Sequence, residues 1–365
     1  MTSIWANSEM QGSVQLIDQR YLPHQIVVET ISTLDEMAKA IEEMHVRGAP
    51  LIGVSAAWGI AIAAFHAQEG EWRMQLEQGL ERLARTRPTA VNLFWALDRQ
   101  RNILAGAQSL EGAKKSLWNE AIQIQKDDVA ICHRIGNSGL VLLQDIFAEK
   151  RAKDQNAVVN ILTHCNAGWL ACVDYGTATA PMYLAHQAGI PIHVWVDETR
   201  PRNQGAKLTA WELGQHGIKH TLIPDNAGGH LMQHGMVDIV ITGADRVTAN
   251  GDAANKIGTY LKALAAKDNG VPFYIAMPES TIDWTLSDGV RGIPIETRSE
   301  HEVRYMDGLD CNGLPHEILI CPEGTQAVNY GFDVTPARLI SGFITEQGLC
   351  EASRNGLANL FGRES

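Results

Sequence analysis

The first half of the chain carries the period of an amphipathic helix. Leu34, Met37, Ala38 and Ile41 recur at three and four residues behind Ser32-Thr33, whose hydroxyls suit a helix start. Ahead of them, residues 12–17 and 25–30 are short strand-like runs. From 48 to 64, Gly and Ala alternate with Ile, Val and Trp, and such small side chains predict a helix packed closely against a neighbour. Helical patterning continues over 73–85, 90–105 and 111–148, with one strong break at Thr86-Arg87-Pro88-Thr89.

The period changes near Asp154-Gln155-Asn156. From there short β-branched runs, at 157–163, 192–196, 220–223, 237–242 and 273–277, alternate with helix-length segments. Near-continuous apolar strands separated by helices predict an α/β fold with a parallel sheet covered on both faces. The boundary between a helical first part and this sheet falls in the long helical region, around 125–155. There is no repeat at a fixed period and no low-complexity segment.

Composition changes the picture mainly by exclusion. A formal net charge of -12, with the basic residues scattered singly, argues against a nucleic-acid partner, because phosphate backbones need clustered Lys and Arg. The six cysteines form no C-x-x-C pair and are too sparse for a disulfide scaffold, which fits a reducing, cytoplasmic setting. The first 18 residues lack a signal-peptide pattern, and no apolar run is expected to reach the roughly 18 residues that span a bilayer. Neither the dinucleotide G-x-G-x-x-G nor the Walker glycine–lysine motif is present, and no metal-ligand spacing such as H-E-x-x-H occurs, so no cofactor and no metal are implied.

In open α/β sheets, ligands bind beyond the carboxyl ends of the strands. Here the unusual polar residues follow the strands directly. His164-Cys165-Asn166-Ala167-Gly168 follows the first and Asp197-Glu198-Thr199-Arg200-Pro201, running on to Gln204-Gly205, the second. Asp225-Asn226-Ala227-Gly228-Gly229 follows the third. Gly243-Ala244-Asp245-Arg246, then Asn250-Gly251-Asp252 and Asn255-Lys256, follow the fourth.

Each candidate has a plainer alternative. Cys165 is either a small buried hydrophobe or a reactive thiol in a glycine-containing turn that leads into a helix, whose amides favour an anion. Asp245 either caps a following helix or reacts. Asp197 to Arg200 fits a surface salt-bridge patch as well as a site, and Asn255-Lys256 fits a solvated helix face. In the first half, Arg47-Gly48-Ala49-Pro50 suits phosphate, a guanidinium fork beside backbone that an anion can approach, or else a loop with Pro50 in a first helical turn. Arg87 is a second candidate for the same anion, which a lysine from the sheet domain would complete.

Arg47-Gly48-Ala49-Pro50, Arg87-Pro88-Thr89-Ala90-Val91-Asn92, the His164 to Gly168 and Glu198 to Pro201 segments, Gln204-Gly205 with Leu208-Thr209-Ala210-Trp211-Glu212, Gly243 to Arg246 and the run from Asn250 to Tyr260 together resemble the methylthioribose-1-phosphate isomerase family. Ile293-Pro294-Ile295-Glu296 and Phe332-Asp333-Val334-Thr335-Pro336 match as well. That family is related to the regulatory subunits of translation initiation factor 2B and to ribose-1,5-bisphosphate isomerase.

The resemblance implies a small, mainly helical N-terminal domain, 1–130, and a Rossmann-like catalytic domain, 131–365, usually paired as a homodimer. It implies conversion of 5-methylthioribose 1-phosphate to 5-methylthioribulose 1-phosphate in methionine salvage, without metal or nucleotide. It makes Cys165 and Asp245 the catalytic pair, and Arg47, Gly48, Ala49, Arg87, Gln204, Asn255 and Lys256 the residues that hold substrate. Trp169-Leu170-Ala171-Cys172 stands where the family has small residues, so Trp169 either reshapes the pocket near the sugar's 5-substituent or packs against the sheet. A 5-deoxyribose 1-phosphate substrate and a non-catalytic regulatory role are the competing readings.

Overall fold

The computed structural model describes residues 2–88 and 90–363; Thr89, in the Arg87-Pro88-Thr89 segment, lies outside the described residues. Strands β1 (Ile4–Ala6), β2 (Val14–Asp18) and β3 (Val27–Ile31) form an antiparallel sheet in that order. Helix α1 (Leu34–Glu42) starts at a reciprocal cap, in which Thr33 Oγ1 accepts from Glu36 N and Glu36 Oε2 accepts from Thr33 N.

Helices α2 (Ala49–His66), α3 (Trp72–Ala84), α4 (Val91–Gly106) and α5 (Leu110–Arg151) follow. The small residues of α2 let α1, α3, α4 and α5 all pack on it. Against expectation, α2 is long and apolar enough by length and composition to cross a membrane; 78% of it is buried inside the protein, the mark of a core helix. Helix α5 is 42 residues long and serves two cores. Its apolar residues up to Ile124 join the core around α2, whereas Ile135 and Leu143 join the core under the large sheet.

The second half opens with β4 (Val159–Thr163), α6 (Ala180–Gln187), β5 (Ile192–Asp197), α7 (Ala210–Gln215), β6 (His220–Ile223), α8 (Ala227–Gln233) and β7 (Ile239–Thr242). It continues with β8 (Arg246–Thr248), β9 (Ala253–Lys256), α9 (Thr259–Asp268) and β10 (Phe273–Ala276). Short pieces come next: β11 (Ile282–Asp283), α10 (Gly289–Gly292), β12 (Thr297–Arg298), α11 (His301–Arg304), the exposed hairpin β13 (Tyr305–Leu309) and β14 (Pro315–Leu319), then β15 (Asn329–Tyr330) and β16 (Phe332–Thr335). The chain ends with β17 (Gly342–Thr345), β18 (Gly348–Cys350) and α12 (Arg354–Phe361).

The large sheet has the order β18-β17-β10-β7-β4-β5-β6, and every pairing in it is parallel except that of β18. The five strands expected from the sequence are all present, and β17 is a sixth parallel strand that the apolar pattern did not reveal. Strands β4, β5 and β6 step one way across the sheet while β7, β10 and β17 step the other. The chain therefore reverses direction between β4 and β7, which opens a crevice beyond their carboxyl ends. A four-stranded sheet, β11-β8-β9-β16, stands beside that crevice.

Candidate active site

Cys165 follows β4 with φ at +65°, a left-handed conformation that costs a non-glycine residue about 1 kcal/mol or more and persists only where neighbours enforce it. They do so on both sides. Cys165 N donates to Thr199 Oγ1 at 2.9 Å, and Thr209 Oγ1 donates to the Cys165 carbonyl at 2.7 Å. The expected helix after Asn166-Ala167-Gly168 is not there: a single 3-10 turn, Trp169–Ala171, follows, and α6 starts only at Ala180. The reason is that this segment docks on the first domain. Gln19 Nε2 donates to the Leu170 carbonyl and Ser3 Oγ to that of Cys172, so its carbonyls serve the domain contact instead of a helix.

Asp245 follows β7, the strand beside β4, and runs directly into β8, its N donating to the Ala254 carbonyl at 2.9 Å. With no helix behind it, the capping alternative falls away.

A cavity open to solvent lies between these strand ends and the first domain. All nine residues that the resemblance makes catalytic or substrate-holding line it, Cys165, Asp245, Gln204, Asn255 and Lys256 from the sheet domain and Arg47, Gly48, Ala49 and Arg87 from the helical one, whereas Asp197 to Arg200, Asp225 to Gly229 and Asn250 to Asp252 do not. Gly48 has φ +92°, and a Cβ there would sit 2.5 Å from the Ala171 carbonyl oxygen, so the close approach of the two domains requires glycine. No side chain caps α2 at Gly48, which leaves the positive end of an 18-residue helix beside Arg47. Arg87 pairs with Glu296 at 3.3 Å. Lys256 lies on β9 opposite Phe332 of β16, its Nζ 4.8 Å from that ring's centroid. Asn255 donates to Thr259 Oγ1, and Gln204 Oε1 is buried without a hydrogen-bond partner among the described residues.

Burial sets the protonation of this cavity. It pushes the Cys165 thiol up, against the pull of Arg47 and Lys256, with Asp245 adding to the rise. Asp245 is half-buried, its remaining surface facing the cavity, and exclusion of water raises its carboxyl against Lys256, Arg47 and Arg87. Lys256 is lowered by burial and held up by Cys165 and Asp245. A thiol, a carboxyl that tends to keep its proton and an ammonium that tends to lose one thus face a single space, with charge supplied by two arginines.

Two alternatives are corrected by burial. Asn255-Lys256 is a buried strand segment (5% and 7% exposed), not a solvated helix face. Asp197 is fully buried, its Oδ2 2.9 Å from both His164 Nδ1 and Lys262 Nζ, so Asp197 to Arg200 is no surface patch. Trp169 packs in the sheet core against Trp211, with ring centroids 5.8 Å apart, and does not line the cavity. Sequence reasoning missed Thr199 as a clamp on Cys165, and Met44, Thr177, Pro278 and Phe332 as cavity wall. Phe332 reaches the site only through strand pairing, which leaves no local signal.

Residues 45–352 match the model of the initiation factor 2 subunit family. A methylthioribose-1-phosphate isomerase of Rhodospirillum centenum is 54% identical over 359 residues, covering 98% of this chain and 93% of that protein. The chain belongs to the methylthioribose-1-phosphate isomerase family. Its similarity to solved structures agrees with membership of that family. The crystal structure of 5-methylthioribose 1-phosphate isomerase from Pyrococcus horikoshii OT3 superposes with a TM-score of 0.83 at 40% identity, covering 99% of this chain and 96% of that one. The translation initiation factor eIF-2B subunit delta from A. fulgidus gives 0.80 at 35% identity, covering 99% of each chain. This chain therefore shares one architecture with a methylthioribose-1-phosphate isomerase and with a translation-factor subunit.

Proposed function

We propose that this isomerase converts 5-methylthioribose 1-phosphate to 5-methylthioribulose 1-phosphate, an aldose-to-ketose step of methionine salvage, with Cys165 and Asp245 as the reacting pair. One observation carries the assignment of the pair: the two residues leave adjacent strands at the point where the sheet reverses and line the same cavity as Arg47, Arg87 and Lys256.

The chemistry follows from the substrate. Its anomeric oxygen carries phosphate, so the ring cannot open as a free aldose does. Asp245, its carboxyl raised by burial, gives its proton to the ring oxygen as the C1–O bond breaks. The hydrogen on C2 passes to C1, the C2 hydroxyl becomes the carbonyl, and the hydroxyl proton returns to Asp245, so the product is an isomer with no atom gained or lost. Cys165 stands at the reacting carbons as a thiol, since burial holds its pKa up. Arg47, Arg87, the α2 terminus at Gly48-Ala49 and Lys256 meet the phosphate, while Gln204 and Asn255 hold the sugar. The homodimer, the cytoplasmic location and the division into domains 1–130 and 131–365 are part of the same proposal. Sedimentation tests the first of these.

Side-by-side kinetics on 5-methylthioribose 1-phosphate, 5-deoxyribose 1-phosphate and ribose 1-phosphate, without added metal or cofactor, test the reading. The methylthio substrate is expected to have the highest kcat/KM. A higher value for the 5-deoxy sugar would reassign the substrate, and no turnover of any of the three would favour a non-catalytic subunit.

A further inference from the structure

Arg47 reaches the cavity from the first domain, yet its guanidinium is held by one residue of the second. Its two terminal nitrogens donate to Asn166, one to the side-chain Oδ1 and one to the backbone carbonyl, each at 2.5 Å. Asn166 can face Arg47 with oxygen only if its amide nitrogen is engaged elsewhere. It is. Asn166 Nδ2 donates to Glu212 Oε1 at 3.1 Å and to Thr209 Oγ1 at 3.2 Å.

Glu212, on α7, is fully buried. Oε1 also accepts from Leu170 N at 2.8 Å, and Oε2 accepts from the Tyr183 hydroxyl at 3.0 Å. A Cβ at Gly168 would lie 1.6 Å from Oε2, so glycine there makes room for the carboxylate. Glu212 itself does not line the cavity.

We propose that Glu212 is a positioning residue for substrate binding: through the amide of Asn166 it holds the Arg47 guanidinium in the direction that meets the substrate's phosphate. The inference rests on the reading of Arg47 as a phosphate ligand. It also gives binding a pH dependence. Burial pushes the Glu212 carboxyl up to about 7, against the Leu170 amide, Asn166, Tyr183 and Arg47. The other titratable groups around it are Cys172, whose thiol is raised partly by Glu212, and Tyr183, raised first by burial and then by Glu212 and Asp174. His216 packs on the Tyr183 ring with centroids 4.4 Å apart. Above pH 7 Glu212 is a carboxylate that pulls the Asn166 amide into place; below it, protonation weakens that pull.

The test measures KM, kcat and the inhibition constant of inorganic phosphate from pH 6 to pH 9 for wild type, E212Q, Y183F and R47A. Glutamine keeps the size and one acceptor oxygen but removes the charge. At pH 8, E212Q should raise both KM and the phosphate inhibition constant by about tenfold, the scale of a hydrogen bond to a charged group, with kcat changed far less. The gap between E212Q and wild type should close below pH 7, where Glu212 is protonated. Y183F removes a donor that favours the carboxylate, so its rise in KM should begin at a higher pH than in wild type. If E212Q fails to fold, this displacement decides the matter alone. Wild-type binding in E212Q at pH 8, a gap of constant size across the pH range, or an unmoved Y183F profile would each overturn the inference. If R47A binds phosphate and substrate normally, the phosphate reading of Arg47 falls instead. R47A impaired beside a normal E212Q would sink the role of Glu212 alone.

Discussion

Asp128 lies buried on α5 with Cys132 one turn further on and Cys172 across the domain junction, a carboxylate oxygen and the two sulfurs all within 4.8 Å of one another. Its carboxylate accepts a 2.7 Å hydrogen bond from Val173 N. That single amide does not compensate the loss of water, and burial raises the carboxyl from 3.8 to about 7, with Asp174 adding to the rise. The folded value lies above the unfolded one, so the stability linked to this proton is fully present below pH 4 and is lost as pH rises through about 7. The whole shift corresponds to roughly 4 kcal/mol, of which roughly 3 kcal/mol is lost between pH 5 and pH 8. Asp128→Asn keeps an acceptor for Val173 N and carries no charge at any pH. Urea unfolding followed by tryptophan fluorescence should show Asp128→Asn close to wild type at pH 4 and more stable by a few kcal/mol at pH 8. Parallel stability–pH curves for the two proteins would refute the reasoning, because they would mean that the buried carboxylate costs nothing.

Cys165→Ser and Asp245→Asn should each lower kcat by about a hundredfold or more while the unfolding midpoint stays put, as expected for loss of a reacting group; normal turnover in either would remove that residue from the mechanism. Thr199→Val strips the acceptor from the buried Cys165 amide and should cost about 1–3 kcal/mol of stability with a fall in kcat, measured on one preparation by denaturation and steady-state kinetics. Gly48→Ala should destabilise the fold by about 1–3 kcal/mol and raise KM, since the added methyl meets the Ala171 backbone at a left-handed φ. A Gly48→Ala variant with unaltered KM would separate the domain contact from phosphate binding.

Much of this protein is written locally. The three- and four-residue spacing at Leu34 to Ile41, the cap at Thr33 and the β-branched runs at β4, β5 and β7 determine elements that form as expected, because side-chain period and local hydrogen bonding decide them. The nine candidate site residues could be named from polar residues abutting strand ends and from family motifs; parallel strands deliver Cys165, Gln204 and Asp245 to one edge, whereas Arg47, Gly48, Ala49 and Arg87 reach the same cavity from the helical domain and Asn255 and Lys256 from β9. Tertiary structure alone decided the rest. Strand β17 is four residues long and is recognisable only by its place beside β10. The turn after Gly168 is no helix because its carbonyls are taken by Ser3 and Gln19, more than 150 positions away in sequence. Lys256 is a buried strand residue only because β16 pairs across from it. The raised carboxyls of Asp245 and Glu212 likewise depend on how much water the folded chain excludes, a quantity set by distant segments packing together and carried by no short stretch of sequence.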